Sequence, residues 1–126
     1  GKLPFPMSVE KALSYIKNKL EVPVLRYAGN KDCLVEKIAI LGGAGAEFAG
    51  VAKSIGADLY LTGDLKYHEA QDAAMNGLVI ADGGHFYTER VIIPYLAKRL
   101  RDEFKTRGWN VGVLEDVRAK DIFHCV

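Results

Sequence analysis

Two side chains at helical spacing, His85 and Glu89, follow a glycine pair in "ADGGHFYTERVIIPYLAKRL", residues 81–100. Positions four apart on an α-helix project from one face, about 6 Å apart along the axis. An imidazole and a carboxylate so placed can bind one metal ion, or two adjacent ones. Both are ordinary ligands for zinc, iron and manganese. The spacing also fits a plain helix pair in which Glu89 accepts a hydrogen bond from His85.

A second block, "LTGDLKYHE" (residues 61–69), carries Asp64 and His68. Gly63 allows a tight turn, Asp64 is placed to cap the next helix, and His68 lies one turn into it. On the functional reading Asp64 and His68 are the catalytic candidates, orienting metal ligands or exchanging protons with a bound substrate. On the structural reading they are a cap and a half-buried histidine. A third block, "LGGAGAEF" (41–48), resembles an anion-cradling turn, but it matches neither the P-loop nor a full GxGxxG fingerprint, and Glu47 opposes an anion.

The elements that must position these residues are legible from periodicity. Ser8 N-caps an amphipathic helix over "VEKALSYIKNKL", and "PVLRYAG" reads as a short strand. Three strand–helix units follow. "VEKIAILGG" leads into "AEFAGVAKSIG", "ADLYLTG" into "LKYHEAQDAAMNG", and "LVIADGG" into one long helix, "HFYTERVIIPYLAKRLRDEFKTRG". Gly56, Gly77 and Gly108 close the helices, and "WNVGVLE" and "DIFHCV" read as two final strands.

This grammar predicts one α/β domain over residues 1–126: a three-layer sandwich with a mainly parallel sheet and helices on both faces. Ligands in such sheets collect beyond the carboxyl ends of the strands. There the three strand-to-helix loops gather Asp64, His68, Asp82, His85 and Glu89. His124 reads as a core or edge histidine on the last strand, and Tyr95 and Trp109 as packing residues.

The 126 residues allow one domain with a real core, and a formal net charge of +1 gives no bulk attraction to nucleic acid. The basic run "AKRLRDEFKTR" is interrupted by Asp102 and Glu103 and reads as a solvated helix end. Cys33 and Cys125 form no zinc-ribbon pattern and read as free thiols of a reducing compartment. "GKLPFP" lacks a signal-peptide layout, and no apolar run approaches a membrane span, so a cytoplasmic protein is expected.

The stretch "ADLYLTGDLKYHEAQDAAMNGLVIADGGHFYTE" closely resembles the signature of the Nif-three-like family, also labelled GTP cyclohydrolase type II-like proteins. The TGDxKYH and DxGHxxTE blocks carry the likeness, which extends from "LPFPMSVEKAL" to the end of the chain. Ala44 stands where many members carry serine, and Gly83 where alanine is common. The resemblance implies a site for two divalent metal ions with five protein ligands, between two similar α/β halves. His85 and Glu89 are the second half's share. The other half is expected to supply adjacent histidines and an aspartate. This chain has no adjacent histidine pair, so it is expected to be the C-terminal half of a doubled protein, weak in metal binding and inactive alone. The family further implies homo-oligomers, commonly hexamers, and hydrolytic opening of a nucleotide ring. A non-catalytic metal-binding regulatory or interaction module is the alternative.

Overall fold

The computed structural model describes residues 1–124. Its elements are β1 (Lys2–Ser8), α1 (Val9–Leu20), β2 (Arg26–Ala28), β3 (Leu34–Ala44), a 3-10 turn (Ala46–Phe48), α2 (Ala49–Ser54), β4 (Leu59–Gly63), α3 (Tyr67–Met75), β5 (Val79–Asp82), α4 (His85–Arg90) and α5 (Ile92–Thr106). The strands form one sheet in the order β1-β3-β4-β5-β2. β3, β4 and β5 run parallel, as their continuous apolar character requires. The two edge strands run antiparallel to them, so the sheet is mixed rather than mainly parallel.

Alternation along the central strands sends side chains to opposite faces. Leu59, Leu61, Val79 and Ala81 pack under Val9, Ala12, Leu13 and Ile16 of α1. Tyr60 and Ile80 face the other way, against Ala52 of α2 and Ala73 of α3. Each large side chain buried there contributes about 1.5–3 kcal/mol. Ser8 caps α1 as expected, its hydroxyl accepting from the Lys11 amide at 3.4 Å.

Several sequence expectations fail, each for an identifiable reason. β1 was not foreseen, because Pro4 and Pro6 break the usual strand signal. An edge strand tolerates proline, whose missing N–H can face away from the sheet, and the β1–β3 register is irregular between Lys2 and Met7. The single long helix is two helices, interrupted at Val91. Pro94 has no N–H for the Arg90 carbonyl, and its ring crowds that group.

"WNVGVLE" forms no strand, nor do residues 121–124 of "DIFHCV"; Cys125 and Val126 lie outside the described residues. Both sheet edges are already taken by β1 and β2. His124 is therefore exposed and off the sheet. Trp109 and Tyr95 are also half-exposed, Trp109 stacking near Phe104 with ring centroids 5.9 Å apart. Cys33 is a free thiol. Among the described residues no helix is long and apolar enough to cross a membrane.

Burial decides which members of the apolar runs carry stability. Leu59 is 0% exposed, whereas Ile40, in the neighbouring run, is 66% exposed. Leu59→Ala should cost about 2–5 kcal/mol in urea unfolding, and Ile40→Thr within about 0.5 kcal/mol. Equal losses would contradict this assignment of the core.

Candidate metal-ligand site

The site is built where the ends of β3 and β4 meet the first turn of α4. That approach is closer than side chains allow. A Cβ at Gly63 would lie 2.9 Å from the backbone of Gly84 and His85, and one at Gly42 would lie 2.9 Å from the Thr88 carbonyl oxygen. Gly43 has a φ of +69°, and a Cβ there would fall 2.5 Å from Glu89 Oε1 and 3.2 Å from His85 Cε1. Glycine at these points leaves room for the histidine and the glutamate.

Buried hydroxyls lock the junction. The Gly43 amide donates to Thr88 Oγ1 at 2.9 Å, and Thr62 Oγ1 donates to the Gly43 carbonyl at 2.9 Å. Thr88 Oγ1 in turn donates within α4, with the Gly84 and His85 carbonyls at 2.8 and 3.0 Å. Tyr60 OH holds the Gly45 carbonyl at 2.7 Å, and burial pushes its phenol pKa up. Sequence reasoning passed over Thr62, Thr88 and Tyr60. The available signal was polar residues inside otherwise apolar strand and helix faces, where a buried hydroxyl requires a partner.

On this frame three expected residues come together. His85 Nδ1 lies 2.7 Å from Asp64 Oδ2, and His85 Nε2 lies 3.3 Å from Glu89 Oε2. All three side chains are about half exposed. Asp64 does not cap α3 as expected: the N-cap is Lys66, whose amide donates to Glu69 Oε2 at 2.9 Å. Asp64 instead adopts a left-handed φ of 56° and turns to His85. Such a conformation in a non-glycine residue is uncommon, least so for aspartate and asparagine.

The structure does not bring His68 into this group. It is exposed, sits 3.4 Å from Gln71 Oε1 and packs edge-on against Tyr67. Asp82 faces inward, its side chain 8% exposed, with Oδ2 taken by Arg26 at 2.5 Å and Oδ1 by the Gly84 amide at 3.0 Å. With both oxygens engaged, Asp82 shapes the turn from inside the fold.

The hydrogen bond to Asp64, followed by the charge of Glu89, raises the His85 pKa above its ordinary 6.5. With Nδ1–H given to Asp64, a neutral imidazole presents its Nε2 lone pair to a carboxylate oxygen. In that form both facing atoms are acceptors, whereas a protonated ring donates from Nε2 to Glu89. Either a proton or a cation stabilises this arrangement. The 3.3 Å separation lets both atoms reach one ion at bond lengths of about 2.0–2.2 Å, and the nitrogen–oxygen donor pair suits zinc, manganese or iron. Among the described residues no three His, Cys, Asp or Glu side chains are grouped to hold an ion. The pair opens onto a cleft of about 1640 Å³, which residues 115–117 and 119–123 also line.

The mixed sheet and this junction define a class: an α/β protein with a histidine–carboxylate site beyond the ends of its parallel strands. Residues 1–120 match the model of the Duf34/NIF3 (NGG1p interacting factor 3) family, and the chain belongs to that family. A Bacillus subtilis protein named "GTP cyclohydrolase 1 type 2 homolog" is 36% identical over 113 residues, 90% of this chain and 30% of that protein. A Clostridium perfringens protein of the same name is 37% identical over 120 residues, 95% of this chain and 45% of that protein. The crystal structure of a Bacillus cereus protein related to NIF3 superimposes with a TM-score of 0.93 at 36% identity, covering 100% of this chain and 34% of that one. The chain thus spans less than half the length of these relatives.

The His85 environment predicts a titration. In metal-free protein its midpoint, followed by NMR of the ring protons, should lie above 6.5, and Asp64→Asn should lower it. Because the folded-state pKa is raised, the stabilisation it represents is full below the unfolded value and is lost as pH rises through the native midpoint. A midpoint unmoved by Asp64→Asn would contradict the bond's role.

Proposed function

We propose that this chain supplies His85 and Glu89 to a divalent-metal site of a metal-dependent, hydrolase-like protein. The complete site holds two ions, zinc, iron or manganese, and serves a small nucleotide-like substrate. The supporting observation is the convergence of His85 Nε2 and Glu89 Oε2, 3.3 Å apart on one helix face. The names of the Bacillus subtilis and Clostridium perfringens relatives support the cyclohydrolase direction.

In this reading Asp64 keeps the Nδ1–H of His85, fixing the tautomer that leaves Nε2 free and raising its basicity, as carboxylates behind metal-binding histidines do. Glu89 supplies the neighbouring anionic oxygen. Thr88 and Thr62 hold the glycine turn against α4, so the two donors cannot drift apart. Bound ions would supply Lewis acidity toward a carbonyl, phosphoryl or ring carbon and make water more acidic.

A second reading, metal used for assembly rather than turnover, is favoured by α5. Only Ala97 is buried there, while Ile92, Ile93 and Leu96 are near half exposed. An apolar helix face of this kind favours self-association, in keeping with a homo-oligomer. Turnover by the metal-loaded full-length protein separates the two readings.

Calorimetric titration of zinc or manganese tests the donor assignment. Two donors should bind no tighter than micromolar, since the remaining coordination positions fall to water. His85→Ala and Glu89→Ala should abolish the signal, and Asp64→Asn should weaken it about tenfold. Binding that survives His85→Ala would refute the assignment. Submicromolar binding lost in His85→Ala would show instead that copies of this chain complete the site by themselves.

A further inference from the structure

A second cavity, of about 420 Å³, opens between β2 and α3. Arg26, Tyr27, Lys66, Tyr67 and Gln71 line it, and it shares Arg26, Leu65 and Asp82 with the larger cleft. Its size is at the small end of small-molecule sites.

Its most exposed charged groups are cations, each with a less exposed carboxylate partner. The Arg26 and Lys66 side chains are 70% and 84% exposed, whereas Asp82 is 8% exposed with both oxygens occupied. Glu69, the other nearby anion, stands 3.7 Å from Lys66 Nζ and accepts the Lys66 amide. Arg26 and Asp82 are register partners of the antiparallel β2–β5 pair, so the guanidinium is fixed by the sheet. Arg26 also donates to the Leu65 carbonyl at 3.5 Å. It thereby holds both loops of the other site: Leu65 follows Asp64, and the Gly84 amide bound by Asp82 precedes His85.

We propose that this cavity is an oxyanion subsite that receives a phosphoryl group of a small ligand through Arg26 and Lys66, beside the His85–Glu89 site. A guanidinium already oriented by a carboxylate retains donors for a second anion, and the exposed Lys66 ammonium, loosely paired with Glu69, adds a second cation. Tyr27 and Tyr67, 46% and 77% exposed, offer ring faces at the rim. The placement of the ligand's reacting part rests on the metal-site reading; binding of the anion does not.

The test is a ¹⁵N–¹H NMR titration of the chelator-treated, metal-free chain with inorganic pyrophosphate. The amides of residues 26–28 and 65–68 should shift, Lys66→Gln should weaken binding about tenfold, and His85→Ala should leave it unchanged. Arg26→Gln should also weaken it, but that change strands the buried Asp82, so Lys66→Gln is the deciding variant. No shifts at these amides, or shifts unaffected by Lys66→Gln, overturn the proposal, as does binding lost in His85→Ala. Because metal is absent, the subsite can succeed while the metal reading fails, or the reverse. Repeating the titration with guanosine 5′-monophosphate identifies the source of the anion. Tighter binding reversed by Tyr67→Ala shows a ring read with the phosphate, and equal binding shows the anion read alone; both support the subsite.

Discussion

His85 Nε2 and Glu89 Oε2 face each other across 3.3 Å, and much of the surrounding architecture maintains that opposition. The contact is a charge-assisted hydrogen bond when the ring is protonated and an opposition of two lone-pair atoms when it is neutral. The two groups hold it because Asp64 fixes the far side of the ring and because the two residues lie one helical turn apart on a helix pinned to the sheet. A proton satisfies the pair at low pH, and in the proposed function a metal ion would compete with it for the same place, so affinity for metal would fall as His85 protonates. The raised histidine pKa and the proposed metal affinity are two consequences of one geometry.

That geometry depends on backbone proximity. α4 sits so near the ends of β3 and β4 that Gly42, Gly43 and Gly63 meet backbone or site atoms where a Cβ would be. Thr88 spans the remaining gap, accepting from Gly43 while donating within its own helix. On the other side of β5, the Arg26–Asp82 pair secures the turn that launches α4. The site side chains are half exposed, but the backbone that carries them is pinned by the buried Thr62 and Thr88.

The sequence disclosed the parallel centre of the sheet well. Apolar runs at β3, β4 and β5, each followed by a glycine turn and helical periodicity, leave little freedom of topology, and the carboxyl-end rule then gathers Asp64, His85 and Glu89. Local rules failed where tertiary context overrode them. Asp64 has the composition of a helix cap, yet the strand end and His85 claim it first. Proline concealed β1, whose edge position makes it tolerable, and Pro94 divided a helix whose apolar spacing continues across the break. The terminal apolar alternation from Trp109 onward gave a strand signal, but strand signals are satisfied only by a free edge, and both edges were occupied. His68 shows the limit of counting residues along one edge: it lies at the correct end of the sheet but turns toward Gln71.

The central claim, that Nε2 of His85 is the free nitrogen and faces a cation position, can be read atom by atom. Zinc titration of uniformly ¹⁵N-labelled protein, with the histidine ring nitrogens followed by long-range ¹⁵N–¹H NMR, separates Nδ1 from Nε2. The account predicts that zinc moves the Nε2 resonance of His85 while Nδ1 keeps the signature of a protonated nitrogen bonded to Asp64. Zinc on Nδ1 of His85, or a response confined to His68 or His124, would contradict it.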